Sequence, residues 1–180
     1  AASALNRASV PKSSGLELAV YTMTNTGDGR HANNPWLLEL PDPVSRVCWD
    51  NFVAVAPKTA RERKFKNGDM VTVTANGVSV EGPIRIHPGA QEDTIALGAG
   101  WGRTAAGAVG NGEGFNAYKL AKAENNNVVY WSEAVTVEKT GERIDLADVM
   151  GHNYLKRNPE SESEPVRQIL QYTSLDLFNE

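Results

Sequence analysis

A single cysteine among 180 residues is the first limit this sequence sets. Cys48 alone closes no intrachain disulfide and cannot supply the thiolates that hold an iron–sulfur cluster. Its apolar setting beside Trp49 reads as an inert, half-buried thiol. Histidine is almost as scarce. His31, His87 and His152 are scattered too widely for a converging metal-ligand set, and His87 before Pro88 reads as a turn residue. Basic charge is in deficit, 18 Lys and Arg against 22 Asp and Glu for a net charge of −4. Phosphate-backbone recognition needs clustered Lys and Arg, so the chain is not expected to bind nucleic acid. No apolar run approaches the ~20 residues that cross a bilayer, so direct membrane insertion is not expected either. Nucleophilic catalysis lacks its Gly-x-Ser-x-Gly elbow, and the nucleotide P-loop lacks its Gly-Lys-Ser/Thr. The chain begins Ala1-Ala2 with no signal-peptide pattern, which is expected of a processed product or an excised fragment.

What the sequence does have is glycine and polar side chains packed into loops. Gly27-Asp28-Gly29-Arg30-His31-Ala32-Asn33-Asn34-Pro35-Trp36-Leu37 puts a guanidinium, an imidazole and two carboxamides between two β-like runs. Gly98-Ala99-Gly100-Trp101-Gly102-Arg103 and Gly110-Asn111-Gly112-Glu113-Gly114-Phe115-Asn116 follow downstream. Glycine lets backbone N–H groups approach a ligand unobstructed, and polar groups at this density bury poorly unless something binds them. Three such loops suggest a site for a long, polar, phosphate-bearing molecule. The candidate binding residues are Gly29, Arg30, His31, Asn33, Asn34, Gly100, Trp101, Arg103, Asn111 and Asn116. Arg103 offers a planar fork suited to phosphate or carboxylate, or else fixes its loop to backbone carbonyls. Trp101 is a candidate to stack on a ring, whereas Trp36, Trp49 and Trp131 read as core or loop anchors. The Gly98–Arg103 run is no Rossmann fingerprint, because more strand, not a βαβ unit, follows it.

The periodicity is that of a mainly β protein with a few short helices. Strands are expected at Leu16–Met23, Phe52–Val55, Asp69–Thr74, Val78–Val80, Ile84–Ile86, Thr94–Leu97, Asn127–Trp131 and Ala134–Val137. Asn76-Gly77 signals a hairpin. Short helices fit Pro35–Leu40 and Lys58–Phe65, the second opened by Pro57. The division expected is a flexible tail over 1–14, a barrel over 15–138, and an acidic linker with a possible docking helix over 139–180. In that last part Asn158–Pro165 is acidic and Pro-bounded, and Val166, Ile169 and Leu170 recur at helical spacing.

The run Gly27 to Leu37, with Ala56-Pro57, Ala60, Asn67-Gly68-Asp69-Met70-Val71, Pro88-Gly89 and Trp101-Gly102-Arg103, resembles the molybdopterin-dinucleotide-binding domain. That domain closes the large subunit of dimethyl-sulfoxide-reductase-type molybdoenzymes. Asp28 to Pro43, Trp49-Asp50-Asn51, Arg103 to Gly107 and Gly110 to Tyr118 are most similar to the molybdopterin-oxidoreductase-like, iron–sulfur subunit of bacterial alternative complex III. The resemblance covers roughly Leu16 to Asn153 and implies a double-psi β-barrel, whose pattern is a short helix, a Gly-Asp turn and a β-branched strand. Lys64 departs from it, standing where the family often has a helix-ending glycine. Two other double-psi enzyme classes lack their signatures here, the Asp-Thr/Ser-Gly of aspartic proteases and the Gly-Ser cleavage dipeptide of pyruvoyl decarboxylases.

The resemblance implies molybdopterin guanine dinucleotide as the parent's cofactor, with no cofactor and no metal expected in the isolated chain and no catalytic residue in it. The alternative is a cofactor-free structural scaffold of the same complex, and a remote one is a protein-recognition barrel. It further implies a parent oxidoreductase on the periplasmic side of the cytoplasmic membrane. Its partners would be the other domains of the same subunit and other subunits of a membrane-associated respiratory complex.

Overall fold

The structure is a computed structural model that describes residues 15–149 and 178–179. Residues 1–149 form one compact unit and 150–180 a second, of which Phe178 and Asn179 are described, both exposed. The expected tail over 1–14, the acidic stretch 158–165 and the helical pattern from Val166 lie outside the described residues.

Six strands close into a barrel. They are β1 (Leu16–Thr22), β2 (Val53–Val55), β3 (Asp69–Ala75), β4 (Val78–Ile86), β5 (Thr94–Ala99) and β8 (Trp131–Arg143), in the order β1-β5-β2-β4-β3-β8. β1 lies parallel to β5 and β2 parallel to β4, while the other four pairings are antiparallel. Parallel neighbours need crossover connections, and here the whole β2–β4 run separates β1 from β5. A small hairpin of β6 (Lys122–Glu124) and β7 (Asn127–Val129) stands apart. Helices α1 (Pro35–Glu39), α2 (Pro57–Arg63) and α3 (Gly107–Gly110) and a 3-10 turn, Ala117–Leu120, complete the chain. The expected mainly β, double-psi barrel with a few short helices is the fold observed.

Alternation explains which residues fill it. On β3, Val71, Val73 and Ala75 point inward and are buried, with Met70, Thr72 and Thr74 between them only partly covered. Each fully buried Val, Leu or Ile contributes about 1.5–3 kcal/mol. β2 is different, because all three of its residues are buried. Val53 and Val55 face the barrel core with Ile84, Ile95 and Leu97, while Ala54 faces a second cluster of Met23, Leu38, Val47, Phe52 and Trp101 outside the wall. Cover on both faces gives an unbroken apolar run rather than an alternating one.

Several elements differ in extent from expectation. Val78–Val80 and Ile84–Ile86 belong to one strand, running through Pro83. β6 gave no apolar signal, since all three of its residues are exposed. β8 runs to Arg143, past the 138 expected as the end of the barrel, and its neighbours up to Val149 still bond to the barrel. Arg85 accounts for part of that: it is nearly buried, pairs with Asp148 at 2.9 Å and donates to the Ser45 carbonyl at 2.9 Å. Lys64 replaces the expected glycine by itself adopting the left-handed conformation, φ 58°, and it ends α2. Its carbonyl receives the Lys139 ammonium at 2.6 Å.

Candidate functional site

The three glycine-rich loops meet. Arg103 donates from Nη1 to the Gly29 carbonyl at 2.8 Å, joining residues 74 apart in sequence. Gly29 and Gly100 pack backbone to backbone: a Cβ on Gly100 would stand 2.8 Å from the Gly29 nitrogen and 2.8 Å from Thr26 Oγ1. Thr26 itself donates from Oγ1 to the Ala99 carbonyl at 3.3 Å. A Cβ on Gly102 would collide with the Asn116 backbone, and one on Gly110 would lie 3.0 Å from the Ala32 carbonyl. Tyr118 closes the ring by donating its hydroxyl to the Asp28 carbonyl at 3.0 Å.

One residue holds this junction from beneath. Asn51 is wholly buried and donates from Nδ2 to the Gly98 carbonyl at 2.7 Å and the Phe115 carbonyl at 2.9 Å. Its Oδ1 accepts the Phe115 N–H at 2.8 Å. Asn51 was not among the candidates drawn from sequence. Its signals are its place in the resembling run Trp49-Asp50-Asn51 and an amide directly before the apolar run Phe52–Val55.

The glycines serve packing more than ligand approach, which corrects the first reading of them. The Gly29 N–H is spent on the Thr26 carbonyl at 3.0 Å, that of Gly102 on Glu113 at 2.9 Å and that of Gly112 on Arg103 at 2.9 Å. The carboxamides are similarly occupied. Asn34 caps α1 by accepting from the Trp36 N–H at 3.1 Å, and Asn116 caps the 3-10 turn by accepting from Tyr118 N–H at 3.0 Å. Asn111 accepts from Ala106 N–H at 2.6 Å. Arg30 folds back on Asp28, Nε to Oδ1 at 2.9 Å and Nη2 to Oδ2 at 2.7 Å. Those bonds hold the Asp28 carboxyl well below the usual carboxylate range. Trp101 is corrected outright as a stacking residue. It is 3% exposed, with its indole N–H 3.2 Å from Met23 Sδ, so its ring belongs to the second core cluster.

What stays directed outward is a shorter set. His31, Asn33 and Arg103 are exposed, and Arg103 spends its Nη1 on the Gly29 carbonyl. Tyr118 and Tyr130 stand edge to face with centroids 6.1 Å apart beside the Asp28–Arg30 pair. Asp50 lies against Gly114. Its Oδ1 is buried without a hydrogen-bond partner among the described residues, and burial pushes its carboxyl up to about 6, with Glu113 adding to the rise. The exposed guanidinium, imidazole and amide on these joined loops, with an unsatisfied acceptor beside Gly114, fit the polar, phosphate-bearing end of a cofactor.

Fold and loops together define a barrel domain that presents a polar, glycine-packed rim. The family model described as "Molydopterin dinucleotide binding domain" matches residues 24–142. The chain therefore belongs to the molybdopterin-dinucleotide-binding domain family. No curated protein matches the sequence. Among 34 matching solved chains is "Acetylene Hydratase from Pelobacter acetylenicus", at 14% identity and a TM-score of 0.48. The match covers 69% of this chain and 18% of that one. At that level the likeness carries no argument.

Proposed function

We propose that this domain holds the guanine-nucleotide end of a molybdopterin dinucleotide within a larger oxidoreductase, and contributes binding rather than chemistry. The supporting observation is the locked meeting of three loops with Arg103 exposed at it, one arm of its fork bonded to the Gly29 carbonyl. Arg103 would meet a phosphate, His31 and Asn33 the flanking polar atoms, and Asp50 a donor on the ring system. The cofactor, when bound, supplies the metal-centred redox chemistry, while the residues of this chain bind and orient it. The full-length parent is tested by assaying purified protein for pterin and molybdenum. On the 180-residue chain, guanosine monophosphate is titrated while backbone amide shifts are followed. Shifts confined to the three loops, weakened by added salt as expected of a screened phosphate contact, support the reading. No shift in any loop contradicts it.

A second reading has its own observation in favour. Because Asn34, Asn111, Asn116, Arg30 and the glycine N–H groups are satisfied internally, the rim can stand without a ligand, as a cofactor-free scaffold would. We further propose that the parent is the iron–sulfur subunit of an alternative-complex-III-type electron-transfer assembly. It would act on the periplasmic side of the membrane, with the other subunits as partners. Co-purification of those subunits, and iron–sulfur signals in the parent, test that assignment.

A further inference from the structure

We propose that Asp50 is the reading group of this rim: its carboxylate accepts the adjacent N–H and NH2 of a 2-amino-4-oxopyrimidine edge, the edge that guanine and pterin share. The inference rests on the dinucleotide-binding reading and narrows it to one recognising side chain.

The starting point is an unpaid polar atom. Asp50 Oδ1 is buried and finds no donor among the described residues. Buried carboxylate oxygens in folded proteins nearly always have a partner, so an orphan in a binding rim calls for a donor from outside. The side chain is well placed for the task. Its neighbour Asn51 is pinned by its bonds to Gly98 and Phe115, which fixes where Asp50 begins. Gly114 packs directly against it: a Cβ there would lie 3.2 Å from Asp50 Oδ1, 2.5 Å from Asn51 Oδ1 and 2.9 Å from Trp101 Cβ. Gly112 and Gly114 both hold positive φ, +81° and +65°, which glycine adopts at no steric cost.

The chemistry of the ligand follows from the surroundings. The charged neighbour acting on Asp50 is Glu113, which repels rather than pairs. Burial and that repulsion both favour whatever brings donors to the carboxylate. A metal ion would ask for more ligands, and the described residues contain no group of three or more His, Cys, Asp or Glu able to hold one. Two parallel N–H donors match the two carboxylate oxygens as a guanidinium fork does. Adenine lacks this edge and hypoxanthine has half of it.

The test uses the 180-residue chain, isotopically labelled, with the Asp50 carboxyl carbon and the loop amides followed together. Guanosine, inosine and adenosine monophosphates and pterin-6-carboxylate are added, each to roughly 20 mM, an order above the millimolar affinity of a half-built site. Guanosine monophosphate or the pterin should shift the loop amides and lower the Asp50 midpoint from about 6. That midpoint is read on the unmutated chain, so it does not depend on any variant folding. Asp50→Asn should weaken binding about tenfold, the loss of a charge-assisted pair, and abolish the preference for guanine over adenine. A response to the nucleotide supports the guanine end, whereas a response to the pterin alone overturns the guanine-nucleotide reading and keeps Asp50 as the group that reads the shared edge. Loop shifts with an unmoved Asp50 midpoint, or equal binding of guanosine and adenosine monophosphates, overturn the role of Asp50 and leave the dinucleotide reading standing. No loop response to any of the four overturns both.

Discussion

Replacing Asn51 with alanine should cost a large share of the domain's stability. The side chain is fully buried and makes bonds at 2.7, 2.9 and 2.8 Å, two donated to carbonyls and one accepted from an N–H. Each buried bond is worth about 1 kcal/mol net, and each stranded backbone group adds about 1–3 kcal/mol of desolvation not repaid. Water entering the vacated space repays part of this, which leaves about 3–5 kcal/mol. That is a large share of a typical total of about 5–15 kcal/mol. With a urea slope of about 2 kcal/mol/M, the midpoint should fall by about 2 M. Asn51→Asp sharpens the test. It keeps the acceptor for Phe115 N–H but turns the donating NH2 into an oxygen facing the Gly98 and Phe115 carbonyls, so it should be as damaging at neutral pH and partly relieved where the carboxyl is protonated. Hydrogen exchange at the Phe115 amide reports the junction directly. A loss below about 1 kcal/mol for Asn51→Ala, with that amide still protected, would refute the reasoning.

Gly68→Ala should abolish folding or lower stability by more than about 3 kcal/mol, because a Cβ there meets the Ile144 carbonyl oxygen of the backbone at φ +80°; a thermal melt within a few degrees of wild type contradicts it. Lys64→Gly should stabilise by up to about 1 kcal/mol by relieving the left-handed φ of 58°, offset by glycine's entropy; an unchanged or lower urea midpoint counts against that cost. Asp50 makes stability pH-dependent. Its folded carboxyl titrates near 6, above the unfolded value, so its contribution is full below about pH 4 and is lost as pH rises through 6. Asp50→Asn should therefore gain about 1–2 kcal/mol on wild type between pH 4.5 and 7.5, after discounting for partial exposure; a constant difference across that range refutes it. Arg103→Ala removes one exposed bond to Gly29 and should cost under about 1 kcal/mol of stability while weakening guanosine monophosphate binding and its salt dependence. Equal binding by the two forms, read from loop amide shifts, removes Arg103 from the site.

The difference between what the sequence disclosed and what it withheld follows the range of each interaction. The barrel was legible because alternation along Asp69–Thr74, the Asn76-Gly77 hairpin and the Gly68-Asp69 turn are local patterns with one physical solution each. The capping roles of the rim were equally local. Asp28 accepts from the N–H of Arg30, Asn34 from Trp36, Asp42 from Val44 and Asn116 from Tyr118, always two residues on. This is the habit of Asx side chains. Polar residues in these loops were read as turned toward a ligand when their spacing already supplied a backbone partner. Long-range partners were another matter. Trp101 sits 78 residues from Met23, Asn51 sits 64 from Phe115, and Arg103 sits 74 from Gly29. No periodicity encodes such pairs, since they exist only once the barrel has brought distant loops to one end. The same distinction sorts the candidates for binding. A polar side chain with a backbone N–H two residues ahead has a structural use for its oxygen. Arg103, His31, Asn33 and the Asp50 Oδ1 atom have no such local outlet for what they still offer, and binding is to be sought there.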